Sequence, residues 1–131
     1  AVVDDYFNKH FPKAIATANS AREQGGVPFT WMTHSWLVSA YRNCNSTKIN
    51  RQGPAFPSDV TCPNASALAA FEAAVGRGDI SWHAFPFNGE PELFTRELFD
   101  AALNLTFEQD ALSGHAPRRT LSLRDVPGMT R

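Results

Sequence analysis

The sequence has no long apolar run, no basic block and only two cysteines, Cys44 and Cys62. No stretch approaches the roughly 18 apolar residues that a membrane-crossing helix needs, so no span is expected in this segment. Twelve Lys and Arg against thirteen Asp and Glu leave a net charge of −1. Without a basic stripe, the electrostatic footprint of a nucleic-acid binder is missing. No Gly-x-Gly-x-x-Gly follows an apolar run and no Walker loop occurs, which weakens any nucleotide-binding reading. The absence of a Gly-x-Ser-x-Gly elbow removes Ser-His-Asp acyl transfer of the α/β-hydrolase kind. Neither cysteine has a Cys-x-x-Cys partner, so a thiolate zinc site is weak as well. The first residues hold neither an initiator Met nor a secretory leader. Ala1-Val2-Val3-Asp4 enters a helical pattern at once, and Arg131 follows a turn. These ends predict an internal piece of a larger domain.

What is present fits a globular chain: 131 residues, 43% hydrophobic and 19% charged. Val3, Phe7, Phe11, Ile15 and Ala18 form an apolar stripe that predicts a helix over 2–24, with a kink at Pro12, which has no N–H to donate. Gly25-Gly26 stops it. Phe29 to His34 is aromatic and β-rich and reads as a buried strand. A short helix is expected from Ser35 to about Tyr41. Residues 42–63 form a polar, proline-bearing loop of a length unusual in a compact domain, and read as an inserted surface loop. A helix capped by Asn64 or Ser66 should run to about Val75 with Leu68, Phe71 and Val75 on one face. Asp79 to Phe85 reads as a second strand. A third helix should open at Glu90 or Glu92 and bury Phe94, Leu98, Ala101 and Leu105. Thr120 to Arg124 reads as a third strand. Strands separated by helices predict parallel pairing, as part of an open α/β sheet or of a barrel.

Cys44 and Cys62 bracket the polar loop. A bridge across it would stabilise by about 3 kcal/mol in the chain-entropy model; two free thiols are the alternative. Sequons occur at Asn45, Asn64 and Asn104, although the tripeptide is common by chance. Cysteines and sequons together point to a secreted or endomembrane-lumenal protein.

Each expected strand ends in a polar side chain beside aromatics. The first delivers His34 and Trp36, the second His83, and the third Arg124 and Asp125. Parallel strands would set these ends on one rim, and Glu92 joins them as a substrate-facing acid. Imidazoles, an acid and aromatic rings together suit a sugar: rings stack on pyranose faces, and carboxylates act as nucleophile, acid or metal ligand. Simpler roles remain open. His34 and His83 can be satisfied half-buried histidines, Trp36 can be core, Arg124 can pair with Asp125, and Asp125 can be a turn-former before Val126-Pro127-Gly128.

Three motifs stand in order: Phe29-Thr30-Trp31-x-x-x-Ser35-Trp36-Leu37, then Arg77-Gly78-Asp79-Ile80-x-Trp82-His83-x-x-Pro86-Phe87, then Asp125-Val126-Pro127-Gly128-x-Thr130-Arg131. This set resembles the N-terminal catalytic region of glycoside hydrolase family 38, the α-mannosidases, and is nearest in pattern to an uncharacterised branch of that superfamily. The resemblance implies a partial seven-stranded β/α barrel of the glycoside hydrolase and deacetylase type, to which residues 1–131 would give about three parallel strands with flanking helices. It implies a zinc ion, most of whose ligands would lie outside this chain. Asp125, Gly128 and Thr130 match the family's Asp-x-x-Gly-x-Ser motif with Thr for Ser. The resemblance therefore makes Asp125 both nucleophile and metal ligand of a retaining glycosidase. Val126-Pro127 stands where the family has Pro-Phe, and Met129 where it has His, so the substrate pocket should differ. The segment alone is expected to be inactive. A metal-dependent carbohydrate deacetylase on a related barrel and a non-catalytic carbohydrate-binding protein are the alternatives.

Overall fold

The computed structural model describes residues 2–46 and 60–122. Of these residues 59% are helical and 6% are in strands. The chain opens with α1 (Val2–Asp5), a π-helical turn (Tyr6–His10) and α2 (Phe11–Glu23). Strand β1 (Trp31–Thr33) leads into α3 (Ser35–Asn43). After the loop come α4 (Ala65–Arg77), β2 (Ile80–Trp82), a 3₁₀ turn (Pro91–Leu93) and α5 (Arg96–Leu112). The two strands lie side by side and parallel.

That arrangement corrects the expected barrel. Two three-residue strands are the whole sheet among the described residues, and a largely helical fold replaces a partial seven-stranded β/α barrel. Each strand is cut short by its own sequence. His34 leaves β1 to accept the first hydrogen bonds of α3, from the Leu37 and Val38 N–H groups at 3.1 and 3.3 Å. Trp82 ends β2 with its indole drawn to a carboxylate on α5 (2.8 Å). Thr120–Ser122, the described part of the third expected strand, joins no ladder; the Ala84 N–H donates to the Thr120 carbonyl at 2.8 Å.

Two compact units divide the chain: Ala1–Met32 with Ser39–Ser81, and Thr33–Val38 with Trp82–Arg131. In the first, the stripe on the opening helix is aromatic. Phe7, Phe11, Ala14 and Ala18 are buried. The Phe11 ring lies 5.1 Å from Tyr41 and 4.9 Å from Phe71. Pro12 explains the π-helical turn: its ring would crowd the carbonyl four residues back, and a wider turn relieves the clash. The Phe11 N–H reaches the Tyr6 carbonyl, five residues earlier. Asn64 caps α4 by accepting from the Ala67 N–H at 2.8 Å, and Gly78 ends it at φ 81°, the left-handed region that favours glycine. Cys44 and Cys62 are disulfide-bonded, closing the loop whose residues 47–59 lie outside the described set.

Asp79 organises the start of β2. Its carbonyl accepts from the Trp31 N–H (2.7 Å) and its N–H donates to the Ala74 carbonyl (2.9 Å). The carboxylate accepts from Arg22 and from Arg77 Nε at 2.9 Å. Burial alone would raise its pKa, but hydrogen bonds from and the charges of Arg22 and Arg77 outweigh that and hold it below the ordinary 3.8. A carboxyl depressed on folding adds stability that is full above its unfolded pKa and lost as pH falls through the folded one. Asp79→Asn should therefore lower stability at neutral pH and flatten the loss below about pH 4. Unfolding free energies measured from pH 7 to pH 2 check this; identical acid limbs in the two proteins would refute it.

The second unit packs Leu37, Val38, Trp82, Ala84, Phe85 and Ala102 out of solvent, with Phe85 in ring contact with Phe87, Phe94 and Phe99. Here the helical phase differs from expectation. The helix starts at Arg96, capped by Thr95, whose hydroxyl accepts from the Leu98 N–H. Its buried face is Ala102, Thr106, Gln109 and Asp110. Leu98, expected inside, is 51% exposed, and Ala101 is exposed as well.

Candidate functional site

The ends of the two parallel strands bring two imidazoles together. His34 follows β1 and His83 follows β2, one residue past each strand. Their rings meet edge to face, with centroids 5.0 Å apart and planes at 81°. Only 7% of His83 is exposed. Among the described residues, the Nδ1 atoms of both rings are buried without a hydrogen-bond partner. Burial lowers the pKa of His34. Burial, and then the proximity of His34, lowers that of His83. Burial thus favours the neutral form of both rings, which donates from one nitrogen and accepts at the other.

The residues that follow His34 and precede His83 take part in buried polar contacts that the sequence pattern did not indicate. Ser35 Oγ and Thr106 Oγ1 share a buried hydrogen bond of 2.6 Å. Asp110, 1% exposed, accepts from Trp82 Nε1 at 2.8 Å and from the Arg118 N–H at 2.9 Å. It also pairs with Arg118 Nε at 3.4 Å. The Arg118 guanidinium lies 4.7 Å from the centre of the Trp82 ring, a cation–π arrangement. Ala102, Thr106, Gln109 and Asp110 follow the spacing i, i+4, i+7, i+8 of one helix face. That phase is present in the sequence, but it carries polar residues, whereas the neighbouring stripe is the more apolar one.

The other expected site residues are placed as follows. Trp36 is half-buried in the first turn of α3, and its N–H donates to the Pro86 carbonyl at 3.3 Å. Glu92 is exposed on the 3₁₀ turn. Arg124 and Asp125 lie outside the described residues. Of the sequon asparagines, Asn45, Asn64 and Asn104 are all exposed. Asn45 donates to the Pro63 carbonyl at 3.1 Å.

No protein-family model, curated protein or solved structure matches the chain. The site is therefore judged on its geometry. Among the described residues no three His, Cys, Asp or Glu side chains gather in one place. Since Asp125, to which the resemblance assigns zinc, is not among them, the described residues do not complete that centre and no chemical step is derived through it. What they do form is a pair of imidazoles at a strand edge. Such a pair can hydrogen-bond a hydroxyl or a carbonyl, or exchange a proton with it.

Proposed function

We propose that this chain contributes to a hydrolase site for glycans or glycosides, with His34 and His83 as substrate-facing groups and Trp36 as an aromatic wall. The observation that carries the reading is the edge-to-face contact of the two histidines just past neighbouring parallel strands, with Nδ1 atoms that lack partners among the described residues. A buried polar atom without a partner costs about 1–3 kcal/mol, so a ligand that supplies the missing bond gains by it. A sugar offers many hydroxyls, each both donor and acceptor, and its apolar face suits an indole. The family resemblance specifies the reaction further, as a metal-dependent, α-mannosidase-like glycosidase with Asp125 as nucleophile.

A secreted or lumenal setting accompanies the proposal. The disulfide suits an oxidising compartment, and the exposed sequon asparagines suit one where glycans are attached. No described helix is long and apolar enough to cross a membrane.

The test is turnover of a panel of aryl glycosides and acetylated sugars by the protein at its full natural length, with and without added zinc. Glycoside cleavage that falls about tenfold to a hundredfold in His83→Gln is the expected result. Release of acetate alone would replace glycosidase by deacetylase. Saturable glycan binding without turnover would reduce the site to a binding module. Absence of both turnover and binding would overturn the proposal.

A further inference from the structure

Helix α5 keeps its more apolar side in solvent. Leu98, Ala101 and Leu105 stand at i, i+3 and i+7, along one side of the helix. Leu98 is 51% exposed, Ala101 is exposed and Leu105 is half-buried. The buried contacts of Thr106 with Ser35 and of Asp110 with Trp82 hold the helix in this phase, so the stripe cannot roll inward. An apolar stripe fixed on the outside calls for a cover. The same helix carries the means of attaching one: Asn104-Leu105-Thr106 is a glycosylation sequon. Asn104 is exposed and three residues past Ala101, a spacing that makes them neighbours on the helix surface. Helical side chains lean toward the N-terminus, so a group attached to Asn104 lies over the turn of Ala101. Leu98 is about 9 Å along the axis in the same direction, within reach of a chain of two pyranoses. We propose that Asn104 carries an N-linked glycan whose first sugars cover Leu98 and Ala101 on α5.

The asparagine has no other visible task. Asn is among the weaker helix formers, and the Asn104 amide makes no hydrogen bond among the described residues. The other two sequon asparagines serve the fold: Asn45 donates to the Pro63 carbonyl, and Asn64 caps α4. A glycan is bulky and solubilising. Its pyranose rings have an apolar face of C–H bonds for leucine and alanine, and hydroxyls for water. In the attachment step, Asn104 Nδ2 bonds to the anomeric carbon of an oligosaccharide carried on a polyprenyl diphosphate. The anomeric carbon–oxygen bond breaks, the diphosphate leaves with its electron pair, and the nitrogen gives up one proton. Thr106 is wholly buried and bonded to Ser35, so the tripeptide is out of reach once the second unit is folded, and attachment precedes folding.

The inference rests on the secreted or lumenal reading. Its test is site occupancy by mass spectrometry, on the protein at its full natural length from eukaryotic secretory cells, together with the fluorescence of an apolar dye. Asn104 should be modified. Asn104→Gln should raise dye fluorescence at least about twofold, whereas Asn45→Gln and Asn64→Gln should not. Adding Leu98→Gln to Asn104→Gln should remove most of that rise, which ties it to the stripe. A glycan on Asn45 or Asn64 with none on Asn104 would overturn the proposal and leave the compartment reading standing. No glycan at any of the three would overturn both. A modified Asn104 whose loss leaves dye binding unchanged would overturn the covering role.

Discussion

Phe11→Ala is expected to lower the unfolding free energy by about 3–5 kcal/mol, the range for truncating a fully buried aromatic. Phe11 is wholly buried. Its ring packs against four others: Tyr6 and Phe7, each at 6.4 Å, Tyr41 at 5.1 Å and Phe71 at 4.9 Å. These come from the opening helix, α3 and α4, so removing the ring opens a cavity that no single helix can close by moving. Aromatic pairs add about 0.5–1.5 kcal/mol each beyond the area they bury, which places Phe11 at the upper part of the range. Urea unfolding followed by circular dichroism measures it. Leu98→Ala serves as control: Leu98 is 51% exposed, and its loss should change stability by no more than about 0.5 kcal/mol. A cost below about 1 kcal/mol for Phe11→Ala would mean that the ring cluster does not hold the first unit together.

The contrast between those two residues shows where the sequence can be read and where it misleads. Phe7, Phe11 and Ala18 recur at helical spacing and are buried, so period and burial agree there, although Ala14 is buried and the expected Val3 and Ile15 are only half-buried. In α5 two stripes compete. Leu98, Ala101 and Leu105 form the apolar one, and Ala102, Thr106, Gln109 and Asp110 form the one that is buried. Hydrophobicity favours the first. The second prevails because its polar groups find partners outside the helix: Thr106 with Ser35, Asp110 with Trp82 and Arg118. Pairings of that kind are invisible to a local pattern. The same limit explains the strands. The aromatic, β-rich character of residues 29–34 and 79–85 located both, but how far a strand extends depends on the neighbours it can bond. Here His34 turns its carbonyl to α3 and Trp82 turns its indole to Asp110.

The candidate site was legible in part. That His34 and His83 end neighbouring parallel strands follows from the alternation of strands and helices, and the structure brings their rings together. That their Nδ1 atoms lack partners among the described residues could not be foreseen, since it depends on what the surrounding elements fail to supply. Arg124 and Asp125 lie outside the described residues, so the reading of the motif around Asp125 still rests on its resemblance.

Asp110→Ala should cost about 3 kcal/mol or more, and should disturb the histidine pair without touching it. The substitution leaves the Trp82 indole N–H and the Arg118 N–H without their acceptor. It also leaves a guanidinium whose side chain is only 24% exposed without its counter-charge. Breaking a buried pair by removing one partner costs about 3–5 kcal/mol; partial solvation of Arg118 puts this case at the lower end. Asp110→Asn separates the contributions. It keeps an oxygen for the Trp82 N–H and loses the charge, so it should cost roughly 1–2 kcal/mol less than alanine does. Equal losses in the two variants would assign the whole effect to the Arg118 charge and none to the indole bond. The consequence for the site follows from chain order. Asp110 bonds the Trp82 indole, and Trp82 is bonded directly to His83, so loss of that acceptor loosens the end of β2. The ring resonances of His34 and His83 in a proton NMR titration should move in Asp110→Ala and stay close to their native positions in Asp110→Asn. If they stay fixed in both variants, Asp110 stabilises the second unit without setting the geometry of the imidazole pair.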